Sequence, residues 1–139
     1  MKIINLTPHP LVLKLPCAVC NGEGRCAHPE CADHYGQITT EIASSGIARC
    51  EEHAVEVGEI STATLEHVAT GRPYVLIPVV TTVYGKVTGL PEPQTGVIYV
   101  VSSITAQACR DRNDVYVPAR VVRDGLGRII GCAGLGRIG

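Results

Sequence analysis

Short apolar runs, each closed by Gly, Pro, Ser or Asp, recur along almost the whole chain. Lys2–Leu6 and Leu11–Leu15 read as two strands joined across Thr7-Pro8-His9-Pro10, and Gln37–Ala43 resumes the same alternation. Ser44-Ser45-Gly46 is a turn, after which Ile47–Val57 reads as one strand or two. Thr62–Val68 fits strand or helix, and Tyr74–Tyr84 reads as a strand broken at Pro78. The Gly89–Pro93 stretch excludes regular structure, because each proline removes a backbone donor and restricts the residue before it. Val97–Val101 is a buried strand, and Ser102–Cys109 is the best helix, with Ser102 as its N-cap. Val115–Val117 and Arg128–Gly131 are short strands separated by a turn at Asp124-Gly125. The fold class expected is α+β, predominantly antiparallel β with one or two helices, in a single domain over residues 1–139.

One stretch breaks the pattern. From Pro16 to Gly36 the alternation gives way to Cys, His, Gly and acidic residues, so residues 17–34 read as an inserted loop. Four of the seven cysteines lie here, Cys17, Cys20, Cys26 and Cys31, spaced C-x2-C-x5-C-x4-C. That spacing is close to a zinc knuckle, whose middle gap is usually one residue shorter. Two cysteines two apart let one turn offer both thiolates to a single ion, and Gly22 and Gly24 supply the permissive backbone. His28 and His34 compete as ligands, Cys17, Cys20, Cys31 and His34 forming the alternative set. A closed cage of this kind is structural, since a catalytic zinc keeps an open position. The other thiols, Cys50, Cys109 and Cys132, read as reduced core residues, as the cytoplasm would keep them.

Charge narrows the partners. The formal net charge is −1, so the chain has no overall attraction for long nucleic acid or for an anionic membrane. No apolar run approaches the length of a membrane span, and the first ten residues lack a signal peptide's apolar core. Any anion site must be local. Arg110, Arg112, Arg120, Arg123, Arg128 and Arg137 crowd the C-terminal part, and the planar guanidinium fork matches phosphate oxygens. Hairpin pairing is expected to bring Arg112 and Arg123 together. Arg110-Asp111 and Arg123-Asp124 also allow plain solvated ion pairs. No nucleophile elbow, zinc-protease helix, phosphate loop or dinucleotide fingerprint is present, so the chain reads as a binder and not an enzyme.

Several segments together resemble a family of phage and prophage proteins, the Thoeris anti-defence sponges. They are Ile4-Asn5-Leu6-Thr7-Pro8-His9, Ser44-Ser45-Gly46-x-Ala48-Arg49, and Tyr84-Gly85 with Gly89-Leu90-Pro91-x-Pro93 and Gly96. Tyr99-Val100-Val101-Ser102, Arg112-x-Asp114 with Pro118, and Val122-Arg123-Asp124 with Gly131-Cys132 complete the set. The resemblance spans nearly everything except Cys17–His34. It implies sequestration, without cleavage, of nucleotide second messengers: cyclic ADP-ribose isomers made by TIR-domain immune proteins and, in some members, cyclic oligonucleotides. It also implies a homo-oligomer, a dimer or an assembly of dimers, acting in the host cytoplasm. By position, Arg112 and Arg123 would bind phosphate, Tyr84 would stack on a base, Arg49 would assist, and Gly89–Pro93 would shape the pocket wall. The competing reading is a small phage structural or interaction protein with a structural zinc loop.

Overall fold

A computed structural model describes residues 1–26 and 28–138. Ala27, inside the inserted loop, and the terminal Gly139 lie outside the described residues. By its contacts the chain divides into two compact units, one of residues 1–50 with 87–139 and one of 51–86.

The larger unit is built on a six-stranded sheet. Its strands are β1 (Lys2–Asn5), β2 (Leu11–Pro16), β3 (Gln37–Ile42), β6 (Val97–Val100), β7 (Val115–Arg123) and β8 (Ile129–Gly136). Their order in the sheet is β1-β6-β7-β8-β2-β3. β1 and β6, β6 and β7, and β2 and β8 run parallel, whereas β7–β8 and β2–β3 are antiparallel. The expectation of a mainly antiparallel sheet therefore holds only in part. Alternation records which residues are buried but not the direction of the neighbouring strand.

The two edges of this sheet meet. Two residues beyond β3, Ser44 forms a parallel bridge with Asn5 at the end of β1, and Ser45 N–H donates to the Asn5 carbonyl at 2.8 Å. The Asn5 side chain, 0 % exposed, locks the junction. Its Nδ2 donates to the carbonyls of His9 (2.8 Å) and Ile42 (3.1 Å). Its Oδ1 accepts from the Thr7 N–H (3.0 Å) and Thr7 Oγ1 (2.7 Å). The buried amide thus satisfies groups from the β1–β2 turn and the end of β3 together.

Closure creates an inside and an outside. Inside are Leu11, Leu13, Val100 and Cys132 with Ile3, Ile42, Tyr116 and Leu135, a set to which all six strands contribute. On the outer side, Tyr99, Val101, Val115 and Val117 pack with Leu6, Ala48, Ala106 and Cys109. β6 is thus buried on both faces, as its unbroken apolar run requires. Cys109 sits in that layer, where burial pushes its thiol pKa up and keeps it neutral. The helix α3 (Ser103–Ala108) covers the layer, and Ser102 caps it by accepting from the Thr105 N–H. Thr105 is itself buried and donates to the Ala48 carbonyl at 3.3 Å. Pro118 is tolerated in β7 because β6 pairs only as far as Tyr116, leaving no ladder bond on that side. Gly89, at φ +81°, lies so close to Ile47 that a Cβ would stand 2.5 Å from its carbonyl oxygen.

The smaller unit holds most of β4 (Arg49–Ser61) and β5 (Leu76–Thr88), a two-stranded sheet. The helix α2 (Leu65–Thr70) lies between them in sequence. Thr64 and His67 form a reciprocal capping box at its start, and Gly71 ends it in the left-handed region, resolving the ambiguous Thr62–Val68 segment. β5 runs unbroken through Pro78, against expectation, since a strand with one partner has an edge where the missing N–H costs nothing. With α1 (Pro29–Asp33) in the inserted loop, the described residues hold three short helices, where one or two were expected.

Asn5→Ala should leave the junction carbonyls of His9 and Ile42 without their donor and cost about 2–4 kcal/mol. The check is a lower urea midpoint with an unchanged m-value.

Candidate metal centre and ligand cleft

The inserted loop leaves β2 at Pro16 and returns to β3 at Gln37, strands that pair along their full length. Cys17 N–H donates to the Gly36 carbonyl (2.6 Å), and Gly36 N–H donates to the Cys31 carbonyl (2.7 Å). Gly36 has φ +83°, and any Cβ there would collide with the Gly22 carbonyl, so glycine is obligatory at this crossing. The loop therefore returns on itself.

That closure gathers Cys17, Cys20, Cys26 and Cys31, whose sulfurs all lie within 4.8 Å of one another. Cys17 and Cys26 sulfurs are 3.7 Å apart and those of Cys20 and Cys31 are 3.3 Å apart. A tetrahedral ion with metal–sulfur bonds of about 2.3 Å sets its sulfurs roughly 3.8 Å apart. The cluster brackets that spacing, and its pairs are too far apart for disulfides. All four are unbridged. These residues can hold a metal ion.

The histidine alternatives fall away. His28 is the N-cap of α1, its Nδ1 accepting from the Glu30 N–H at 3.3 Å, and His34 is the exposed C-cap of the same helix. Among the described residues the metal-ligating group consists of the four cysteines. The thiols perturb one another strongly. Burial opposes ionisation of Cys20, yet hydrogen bonds from Cys31 and from the Arg25 backbone outweigh it and bring its pKa to about 5. Cys26 is pushed up to about 12, chiefly by its hydrogen bond with Cys20. The cluster thus already favours thiolate at some sulfurs and shares protons among the rest, protons that an ion would displace.

The arginines expected to converge do not. Arg112 lies in the loop three residues before β7 and Arg123 is the last residue of that strand, which itself spans roughly 26 Å. Hairpin pairing joins β7 to β8 and brings neither arginine to the other, which corrects the expectation from spacing. Arg112 is committed structurally: Nε and Nη2 each donate to the Asp114 carboxylate at 2.8 Å, and Nη2 also donates to the Pro91 carbonyl at 2.9 Å. The guanidinium holds the Asp114 carboxyl below its usual range, and Arg112 is raised in turn. It ties the Gly89–Pro93 segment to β7. Arg49 opens β4 and is exposed; Tyr84 lies on β5 in the smaller unit. Tyr99 is 0 % exposed in the core, its hydroxyl donating to the Glu92 carbonyl.

Arg123 has different surroundings. It is exposed, donates to the Gly127 carbonyl at 2.9 Å, and is the register partner of Ile129. Ile129 lines a cleft of about 610 Å³ in the larger unit. Leu11, Val12, Val121, Ile129 and Ile130 make its apolar walls, and Thr7, His9, Ser102 and Ser103 bring polar groups. The register shifts between Val122 and Arg123, and Arg123 is not itself among the residues that line the cleft; its link to the cleft is its pairing with Ile129. The sequence pattern places His9 only in a turn and Ser102 only as a helix cap. The available signal was Ser-Ser directly between a buried strand and a helix.

Comparison with protein-family models, with curated proteins and with solved structures finds no match to this chain. Among the described residues no helix is long and apolar enough to cross a membrane.

Metal analysis of the purified protein should return one ion per chain. Cys31→Ala should lose it and His34→Ala should keep it. Arg112→Ala should lower stability by about 1.5–3 kcal/mol at neutral pH. Because the Asp114 pKa is lowered on folding, that stabilisation is complete above its ordinary value of 3.8 and fades as pH falls through the lowered one. The gap between wild type and variant in urea unfolding should therefore close in acid.

Proposed function

We propose that this protein is a phage anti-defence sponge. It binds a nucleotide immune signal of the cyclic ADP-ribose type in the cytoplasm of the host and holds it uncleaved. The observation that carries the reading is the cleft. Its volume falls in the range of small-ligand sites, and it combines apolar walls with a few polar groups, with Arg123 paired to the lining residue Ile129. Apolar side chains suit the faces of base and ribose, while Thr7, His9, Ser102 and Ser103 suit their hydroxyls and Arg123 a phosphate. Cyclic oligonucleotides share that chemistry. The family resemblance in the sequence supplies the ligand class; Arg112 drops out of the ligand set, and Arg49 and Tyr84 stay in it only through that resemblance.

The ion in the thiolate cage is zinc on this reading, in a structural role. All four tetrahedral positions are filled by sulfur, which leaves none for substrate or water. It braces the 17–34 loop between β2 and β3.

The second reading, a small phage structural or interaction protein, is favoured by the exposed apolar side chains of the smaller unit, Val57, Ile60 and Leu76 among them. Presence of the chain in purified virions, with no response to nucleotides, would decide for it.

Zinc-loaded protein should gain about 2.7 kcal/mol from a cyclic ADP-ribose isomer at a hundred times its Kd, a rise in Tm of roughly 10 °C. Denaturation should return the nucleotide unchanged. Arg123→Ala and Val121→Trp, the latter filling the cleft, should abolish the shift without lowering the basal Tm. A full shift in both variants would place the ligand elsewhere, and altered nucleotide would mean turnover.

A further inference from the structure

The sulfurs of the cysteine cage approach one another in two close pairs, and neither pair lies within the C-x2-C turn. Cys20 and Cys31 sulfurs are 3.3 Å apart across eleven positions of sequence, and those of Cys17 and Cys26 are 3.7 Å apart across nine. Each pair joins a buried residue, Cys31 or Cys17, to a half-buried one, Cys20 or Cys26. A disulfide holds its sulfurs about 2.05 Å apart, so each pair would close with a movement of less than about 2 Å. The backbone around them is held by bonds that need no ion. Cys17 N–H donates to the Gly36 carbonyl and Gly36 N–H to the Cys31 carbonyl, while Gly22 and Glu23 N–H donate to the Cys17 and Cys20 carbonyls, both at 3.1 Å.

We propose that the cage is also a redox centre, at which hydrogen peroxide closes Cys17–Cys26 and Cys20–Cys31 as disulfides and expels the ion. The inference rests on the reading of this loop as a zinc site and gives that site a regulation. One residue of each pair is open to the oxidant. The half-buried thiolate, Cys20 or Cys26, attacks the peroxide: an S–O bond forms, the O–O bond breaks, and the departing oxygen takes a proton and leaves as water. The buried partner then attacks the sulfenic acid so formed. An S–S bond forms and hydroxide departs, protonated to a second water. Two thiolates thus give two electrons to each peroxide, and two peroxides with four protons convert the cage to two disulfides and four waters. Zinc changes no oxidation state; it leaves because a disulfide sulfur is no longer a thiolate ligand. The two closing pairs interleave along the chain, so the oxidised loop stays tied between β2 and β3, and reduction by a dithiol rebuilds the cage.

Titration of the purified zinc-loaded chain with hydrogen peroxide, beside a chromogenic zinc chelator, tests the inference. One zinc should be released for every two peroxides consumed, and a dithiol reductant with added zinc should restore the metal content. Trypsin cuts after Arg25 and so separates Cys17 and Cys20 from Cys26 and Cys31. The expected map joins these two peptides, with Cys17–Cys26 and Cys20–Cys31 assigned by fragmentation in the mass spectrometer. Cys50, Cys109 and Cys132 should remain open to alkylation after unfolding. Bonds within either peptide, the exchanged pairs Cys17–Cys31 and Cys20–Cys26, or sulfinic acids in place of disulfides would overturn the proposal, as would zinc retained under excess peroxide. A chain isolated without metal would sink the zinc reading by itself, and the same peptide map would then decide the redox pairing.

Discussion

The larger unit depends on the meeting of β1 with the chain beyond β3. An open six-stranded sheet would present two bare edges and spread its apolar residues over two wet faces. Closure at Asn5 and Ser44 turns one of those faces inward, so that Ile3, Leu13, Ile42, Val100, Tyr116 and Cys132 share one interior. The same asparagine fixes the β1–β2 turn through Thr7 and His9. Those two residues line the cleft, so the constraint that closes the sheet also positions one wall of the site.

Two rigid features flank this body for different reasons. The thiolate cage fixes the long excursion between β2 and β3, a segment with too few apolar residues to hold itself. Arg112 and Asp114 fix the proline-rich connection before β6 through a paired charge and a carbonyl contact. Neither feature offers chemistry to a ligand: one set of donors can close on an ion and the other is turned onto its own chain. On the proposed reading, recognition falls to the cleft, and a pre-formed cleft in which little has to be ordered on binding favours tight holding.

Much of this was legible in the sequence. The positions of β1, β2, β3, β6 and α3, the irregular Gly89–Pro93 stretch and the cysteine cluster follow from alternation, proline and spacing, because each is decided by neighbours in the chain. The errors share a cause. Strand direction, the passage of β5 through Pro78 and the separation of Arg112 from Arg123 depend on which strand lies alongside, information that no local window holds. Arg112-x-Asp114 reads equally well as half of a phosphate site or as a closed ion pair. Only the two 2.8 Å bonds between them distinguish the alternatives.

The central claim is that the cleft holds a nucleotide and returns it intact. Mass spectrometry of small molecules released by denaturing the protein, after expression beside an active TIR-domain defence system, tests this most directly. The account predicts an unmodified cyclic ADP-ribose isomer, near one per cleft, from wild type and none from Val121→Trp. Wild-type protein that carries no nucleotide, or only a hydrolysed one, would contradict it.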